Sequence, residues 1–263
     1  MTDICLTLEE LIKKYKNFVS QAYNNPQIFE NFKQNRIYKH VLEHASYEEG
    51  VEYLKLITEQ TPEIVDEIFK IKRNDIIGNP TLSEYSVVGK FSGSTLRYAA
   101  VLSNLIHIFK RKQWGKIAEI GIGYGGQFLI NDAFLEFSDY IMFDLHEVRS
   151  FAKKYLENHI ANNSYSFSSL NEFKKGFKFD LVISNYAFSE LPKNLQLKYI
   201  EKVVGNSKNG YMTMNSGASE SVLQGDYLSI NELKNKIKNL KIIDEIPKTR
   251  LGNYIIVWGK VFN

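Results

Sequence analysis

Apolar side chains recur with two different periods along this chain, and the period changes near Trp114. Up to about residue 75 they lie three or four positions apart, as on one face of an amphipathic helix. From Trp114 onward, short apolar runs alternate with helical patterns, which is typical of parallel strands with helices on both faces of a sheet. The sequence therefore predicts a helical N-terminal cap and loop over residues 1–93 and an α/β domain over residues 94–263.

Helix-start signals mark the predicted N-terminal helices. Thr7 precedes the first apolar stripe and is expected to cap it. Ser46 and Glu49 have the spacing of a capping box, in which each side chain accepts a hydrogen bond from the other residue's backbone N–H. Thr61 precedes a proline, which is favoured at the first helical position. These signals predict three helices, and a weaker helical pattern covers residues 28–42.

Residues 74–93 are rich in glycine and asparagine and are predicted to form a long loop, a feature that is usually functional or disordered. Ser94 is then expected to cap a helix that continues to Phe109, with Arg97 and Tyr98 in its first turn. A cation at a helix N-terminus opposes the helix dipole. Arg97 therefore indicates an anionic partner, with a solvated surface arginine as the alternative.

Seven strands are predicted in the α/β region, at residues 117–121, 140–144, 165–167, 179–184, 210–215, 241–246 and 253–261. The turn between the last two strands is short, so that pair must be antiparallel. The predicted fold class is thus a Rossmann-like α/β sheet of seven strands whose last strand is antiparallel.

Composition narrows the class of protein. The chain has 263 residues, 44% of them hydrophobic, with a net charge of +3 that is too small to indicate a nucleic-acid partner. A single cysteine excludes an intramolecular disulfide. No apolar run reaches the roughly 18 residues of a membrane span, and the first residues do not resemble a secretory signal. We expect a cytoplasmic protein, and a homodimer remains an open alternative.

The densest motif follows the apolar run at residues 117–120, where four glycines fall within six residues before an amphipathic stretch. A glycine turn between a strand and a helix lets the backbone approach a ligand without an intervening Cβ. Gly121, Gly123 and Gly126 also fit the dinucleotide fingerprint G-x-G-x-x-G, so the glycines alone leave the cofactor undecided. Glu119, two residues before the first glycine, suits a cationic cofactor rather than a pyrophosphate.

The pattern acidic-x-G-x-G-x-G that begins at Glu119 resembles motif I of class I S-adenosylmethionine (SAM) methyltransferases, and residues 180–192 resemble their motif IV. More narrowly, the chain is similar to the sugar O-methyltransferase family of bacterial surface-polysaccharide gene clusters. That resemblance is carried by residues 78–80, 94–98, 119–126, 143–145 and 183–191.

The resemblance implies SAM as the cofactor. No metal is predicted, because the sequence shows no pair of aspartates and no cluster of histidines with the spacing of metal ligands. The resemblance implies ten cofactor-binding residues, namely Glu119, Gly121, Gly123, Tyr124, Gly125, Asp144, Leu145, Ser168, Asn185 and Tyr186. It implies acceptor contacts from Tyr85, Arg97, Tyr98 and Asn215. A carboxylate at the end of the second strand can accept two hydrogen bonds from a ribose diol, a role shared by NAD and SAM proteins, and a helix N-cap is the alternative for Asp144.

A sugar hydroxyl is a weak nucleophile, so a general base is expected beside it. Three residues beyond predicted strand ends are candidates, namely His146, Glu190 and Tyr186. A surface or helix-capping role is the alternative for His146, and a first-turn carboxylate at a helix N-terminus is the alternative for Glu190.

The predicted function is SAM-dependent methylation of a sugar hydroxyl in a bacterial capsule or lipopolysaccharide, or in a nucleotide-linked precursor. Methylation of another small-molecule or phosphate-type oxygen is the first alternative. A nicotinamide-dependent oxidoreductase and a non-catalytic subunit with the same fold are the others.

Overall fold

The computed structural model describes residues 8–42, 45–173, 176–215 and 226–262. Its α-helices are Leu8–Asn24 (α1), Pro26–Glu30 (α2), Arg36–Val41 (α3), Tyr47–Gln60 (α4), Pro62–Asp66 (α5), Gly93–Phe109 (α6), Gly126–Phe134 (α7), His146–Leu156 (α8), Ala187–Glu190 (α9), Lys193–Lys202 (α10) and Ile230–Lys236 (α11). Short 3₁₀ helices cover Phe32–Gln34, Ile68–Asp75 and Val204–Asn206. Its strands are Ser83–Tyr85 (β1), Gly89–Phe91 (β2), Gln113–Ile120 (β3), Glu136–Phe143 (β4), Tyr165–Ser168 (β5), Phe179–Asn185 (β6), Ser207–Met214 (β7), Lys241–Asp244 (β8) and Tyr254–Trp258 (β9).

Seven strands form one sheet in the order β5-β4-β3-β6-β7-β9-β8. Strands β3 to β7 pair in parallel, whereas β9 is antiparallel to both β7 and β8. The predicted fold class, a seven-stranded α/β sheet with an antiparallel last strand and a helical N-terminal region, is confirmed. Because two antiparallel pairings separate β8 from β7, the carboxyl end of β8 lies at the same edge of the sheet as those of the parallel strands.

Alternate residues of each strand pack on opposite faces of the sheet. On one face, Ile117 of β3 belongs to a core that also includes Phe32 from the N-terminal helices and Phe151 of α8, whose ring centroids are 4.9 Å apart. On the other face, Ala118 packs in a core with Leu233 of α11. The N-terminal helices therefore share the hydrophobic core of one sheet face, and the predicted boundary at residue 93 falls at the start of α6.

The predicted capping box is confirmed at the start of α4. The backbone N–H of Glu49 donates to Oγ of Ser46 at 3.1 Å, and the Ser46 N–H donates to Oε2 of Glu49 at 2.6 Å. Pro62 begins α5 as expected, but the Thr61 hydroxyl donates to Ser103 at 2.8 Å instead of capping that helix. Thr7 lies outside the described residues.

The prediction that Ser94 caps the next helix is wrong by two residues. Ser92 is the N-cap of α6, and its Oγ accepts the backbone N–H of Thr95 at 3.1 Å. The buried carboxylate of Asp75 sets this start, because it accepts the Ser92 N–H at 2.9 Å and the Thr95 hydroxyl at 2.7 Å. Arg97 consequently lies in the second turn of α6, not the first.

The long loop predicted at residues 74–93 contains a two-stranded hairpin, β1 and β2. Tyr85 and Phe91 anchor this hairpin, since each is only 2% exposed. Residues 28–42, expected to hold one helical pattern, divide into short helices because Asn25 and Asn35 each cap a new one. The hairpin forms where buried aromatic residues anchor the loop. The helical pattern divides where asparagine side chains cap new helices.

Candidate active site

The glycine turn follows β3 directly and leads into α7. Gly121, Gly123 and Gly125 have φ angles of +77°, +54° and +90°, a region that residues with a Cβ rarely adopt. The N–H of Gly121 donates to the carbonyl of Phe143 at 2.9 Å, which continues the pairing of β3 with β4 past the last residue of the strand. The turn is thus attached to the carboxyl end of the neighbouring strand.

Asp144 strengthens this attachment. Its Oδ2 accepts the backbone N–H of Ile122 at 2.8 Å, and its Oδ1 accepts that of Leu145 at 2.7 Å. Burial raises the pKa of Asp144 to about 6, while these backbone bonds act in the opposite direction. The backbone N–H of Gly123 also acts on this carboxylate, so the predicted ribose contact would share the carboxylate with the glycine turn. Ser168, which pairs with Phe143, lies beside it at the end of β5.

The N-terminal region covers the glycine turn. A Cβ placed on Gly123 would lie 3.0 Å from Cδ1 of Leu42, so the space expected for a ligand is filled by the chain itself. Arg97 donates to the Leu42 carbonyl at 2.6 Å. The Tyr124 ring is fully buried and its hydroxyl accepts a bond from Asn74 at 3.0 Å. The Tyr124 side chain therefore has no access to a ligand at the turn.

Glu119 also points into the interior, where it is 2% exposed. Its Oε2 accepts the Tyr140 hydroxyl at 2.8 Å. Burial raises the pKa of Glu119 to about 8, although the bond from Tyr140 lowers it. Contact of this carboxylate with a cationic cofactor, the interpretation favoured by the sequence, would require the side chain to leave that bond.

A cavity of about 30 Å³ lies at the carboxyl ends of β6 and β7, between α4, α6 and the segment after β8. Its lining includes Tyr53, Arg97, Tyr98, Asn185, Tyr186 and Glu245. Ligands of open α/β sheets bind beyond the carboxyl ends of the strands, which is where this cavity lies. The structure thus brings together four of the residues predicted from sequence and two that were not.

Tyr186 and Glu245 form a polar pair in this cavity. The Tyr186 hydroxyl donates to Oε1 of Glu245, which is 5% exposed, and Thr249 donates to the same carboxylate through its N–H at 3.1 Å and its hydroxyl at 2.9 Å. Burial and the Glu245 charge hold the pKa of Tyr186 well above its usual value. Tyr186 has a φ of +64°, a strained conformation of the kind that clusters at functional sites.

Sequence reasoning missed Glu245. The residue lies within the strand predicted at 241–246 and directly after the observed β8, but its place at the cavity depends on β9 pairing with β7, which leaves β8 parallel to the central strands. The signal in the sequence was the acidic pair Asp244 and Glu245 at the end of that strand.

Two polar atoms at the cavity lack a hydrogen-bond partner among the residues that the structure describes. These are the hydroxyl of Tyr53, a residue only 4% exposed, and Oδ1 of Asn185. A buried polar group without a partner costs about 1–3 kcal/mol, so both atoms favour a ligand that carries complementary groups. Because Oδ1 of Asn185 is an acceptor, the ligand group that contacts it must be a donor, such as an ammonium, amine or hydroxyl.

The other predicted site residues lie away from the cavity lining. His146 is exposed at the start of α8, and Glu190 accepts a hydrogen bond from Asn215 at 2.7 Å. The Tyr85 ring packs beside Gly50 and stacks on Tyr47, with centroids 5.2 Å apart. Across the described ranges, no group of three or more His, Cys, Asp or Glu residues could hold a metal ion, and no helix is long and apolar enough to cross a membrane.

No family model and no curated protein matches the chain. Among solved structures, the N-terminal domain of EvdMO1, crystallised in the presence of SAH and D-fucose, is 14% identical with a TM-score of 0.47, covering 76% of this chain and 97% of that one. The N-methyltransferase NodS from Bradyrhizobium japonicum is 11% identical with a TM-score of 0.46, covering 61% of this chain and 91% of that one. An S-adenosylmethionine-dependent methyltransferase from Clostridium acetobutylicum is 12% identical with a TM-score of 0.42, covering 55% of this chain and 83% of that one.

Sequence identities of 11–14% with TM-scores below 0.5 do not identify the ligand or the reaction of this chain. Its own sheet, with antiparallel β9 between β7 and β8, has the Rossmann-like seven-stranded architecture with a closing antiparallel hairpin that the sequence predicted.

Proposed function

We propose that this protein is a SAM-dependent O-methyltransferase. The observation that carries the proposal is the sheet itself, with antiparallel β9 next to β7 and the glycine turn, Asp144 and Asn185 at one edge. The dinucleotide-binding order 3-2-1-4-5-6 is built from two parallel βαβαβ halves and has no such inserted strand. The fold therefore favours SAM over a nicotinamide cofactor.

The residues at this edge fit the cofactor. Gly121, Asp144 and Ser168 are partly exposed and Leu145 is exposed, so a nucleoside can reach them. Asp144 would hold the ribose, and Asn185 with Arg97 would hold the amino-acid end. SAM supplies a methyl group activated by a sulfonium.

The acceptor would enter at the cavity beside that edge, whose volume of about 30 Å³ would have to increase to admit it. Its tyrosine rings and the hydroxyl of Tyr53, which has no partner among the described residues, suit a molecule with hydroxyl groups, which is the chemistry of a sugar. The assignment to a bacterial surface polysaccharide, or to a nucleotide-linked precursor, rests on the sequence resemblance. A hydroxyl or phosphate-type oxygen of another small molecule is the second candidate, because Arg97 lines the same cavity and suits an anionic group.

Glu245 is the proposed general base. Its carboxylate would take the proton of the acceptor hydroxyl, while Tyr186 and Thr249 hold the carboxylate in place. Methyl transfer also needs the acceptor oxygen in line with the methyl group at roughly 3 Å, which requires the acceptor to be fixed by the cavity walls. His146 and Glu190, the other candidates from sequence, lie outside the cavity lining and are replaced in this role by Glu245.

The test has two stages. Isothermal titration calorimetry with S-adenosylhomocysteine (SAH) and with NADH should show binding of SAH alone, and binding of NADH alone would refute the proposal. Methyl transfer from labelled SAM is then measured on free sugars, nucleotide-linked sugars and non-sugar alcohols. Turnover confined to a sugar class supports the sugar assignment, whereas turnover confined to non-sugar acceptors retains the methyltransferase and overturns the sugar.

A further inference from the structure

Five polar side chains form a continuous hydrogen-bonded relay through the interior, from the end of β3 to the end of β6. Asn185 donates to Gln127 at 3.0 Å, Gln127 to Asn131 at 3.0 Å, Asn131 to Tyr140 at 3.3 Å, and Tyr140 to Glu119 at 2.8 Å. Four of the five side chains are each at most 2% exposed, namely Glu119, Tyr140, Asn131 and Gln127. Solvent therefore cannot replace a lost bond within this relay.

Every bond in the relay points the same way, and Glu119 sets that direction. Oε2 of its carboxyl group accepts the hydroxyl hydrogen of Tyr140, so the Tyr140 oxygen is left to accept from Nδ2 of Asn131. The oxygen of Asn131 then faces Nε2 of Gln127, which also donates to the Tyr98 carbonyl at 3.2 Å. Oε1 of Gln127 accordingly faces Nδ2 of Asn185.

The last amide is thereby held in one orientation. Turning the Asn185 amide over would place its oxygen against the oxygen of Gln127, exchanging an attraction for a repulsion. In the observed orientation Oδ1 of Asn185 is buried at the cavity without a partner in the described part of the chain. An acceptor atom is thus presented to whatever the cavity holds.

We propose that Glu119 is a positioning residue that acts through this relay, holding Oδ1 of Asn185 as the acceptor for the ammonium of the cofactor's amino-acid end. This inference rests on the proposed function. An amide oxygen accepts only from donors, and of the two charged groups at that end the ammonium donates whereas the carboxylate does not. Asn185 is placed for this contact because β6 ends beside the glycine turn, where a Cβ on Gly121 would meet Cβ of Ala187 at 2.0 Å.

The test compares two ligands, SAH and an analogue in which hydrogen replaces its α-amino group, by calorimetry. Their affinity ratio is measured for the wild type, Tyr140→Phe, Gln127→Met and Glu119→Met, which interrupt the relay at three points. Glu119→Gln keeps an oxygen that can accept from Tyr140. Tyr155→Phe is the matched control, because Tyr155 is a fully buried tyrosine whose hydroxyl donates to Asn74 outside the relay.

We expect the wild type to prefer SAH by about tenfold or more, as for a hydrogen bond to a charged group. The three interrupting variants should lose most of that preference by weakening SAH alone, whereas Glu119→Gln and Tyr155→Phe should retain it. A general loss of structure would weaken both ligands equally and leave the ratio unchanged.

The relay is overturned if the SAH-to-analogue affinity ratio is unchanged in folded interrupting variants, or if the wild type shows no preference for SAH. In either case, binding of SAH still supports the proposed function. If the wild type binds neither ligand, both fail. Gln127→Met and Tyr140→Phe alter different elements, so the result does not depend on the folding of one variant.

Discussion

The hydroxyl of Tyr186 donates a hydrogen bond to the carboxylate of Glu245, joining the end of β6 to the segment after β8. The two residues lie 59 positions apart in the sequence and meet at a cavity that neither helix nor strand patterns predict. Because Thr249 also donates to Glu245, the carboxylate has a defined orientation toward that cavity. Under the proposed function, Glu245 would therefore take part in the chemical step, whereas other residues, such as Asp144, would hold the cofactor.

Glu245→Gln should lower kcat and leave the affinity for SAH unchanged. The amide retains the size of the side chain but cannot take a proton, and loss of a general base costs about 10²–10⁴ in rate. Steady-state kinetics with the identified acceptor and calorimetry with SAH measure the two effects. Asp244→Asn, at the exposed neighbouring residue, is the control and should retain full turnover. A Glu245→Gln enzyme with normal kcat would exclude this residue as the base.

Asp144→Ala should weaken SAH binding by about 1.5–3 kcal/mol, the range for hydrogen bonds to a charged group. The substitution removes the predicted ribose contact and also releases the N–H of Ile122 in the glycine turn. Calorimetry measures the change, and Asp139→Ala, in the first half of β4, should leave the affinity unchanged. Equal affinity of Asp144→Ala and wild type would assign Asp144 a structural role alone.

Gly121→Ala should destabilise the protein more than Gly89→Ala. Both glycines have similar positive φ angles, +77° and +81°, so both substitutions incur about 1–2 kcal/mol of backbone strain. A Cβ on Gly89 meets nothing within 4 Å, whereas one on Gly121 would lie 2.0 Å from Cβ of Ala187 and add about 1–3 kcal/mol of overpacking. Urea unfolding of the two variants measures the difference, and equal losses would show that the turn can move away from α9.

The free energy of unfolding should fall as pH rises from 6.5 to 8, and Glu119→Gln should flatten that fall. The pKa of Glu119 is raised from 4.5 to about 8 by burial, so the folded state binds a proton that the unfolded state has released. Its stabilising contribution is complete below pH 4.5 and is lost as the pH passes 8. Asp144, with a pKa near 6, and His159, lowered from 6.5 to about 4, titrate mainly below this window.

Chemical denaturation at several pH values measures this slope. The exposed Glu136→Gln serves as the control variant and should retain the wild-type pH dependence. An identical slope in Glu119→Gln would show that the buried carboxyl does not titrate between these pH values.

The sequence by itself determined the elements whose signals are local. The capping box of Ser46 and Glu49, the apolar strands, the glycine turn after β3 and the antiparallel final hairpin were all predicted and are confirmed. Each depends on backbone periods or on the geometry of a few consecutive residues, which hold wherever the segment lies in the protein.

Only the tertiary structure decided how distant residues share the site. Glu119 turns toward Tyr140, Leu42 covers Gly123, and Glu245 reaches Tyr186, which lies 59 residues away. These contacts depend on strand order and on the packing of the N-terminal helices against the sheet, and side-chain patterns within one segment carry no information about which remote segment will be adjacent. The edge of the sheet was therefore predictable from sequence, whereas the partners of its polar side chains were set by long-range packing.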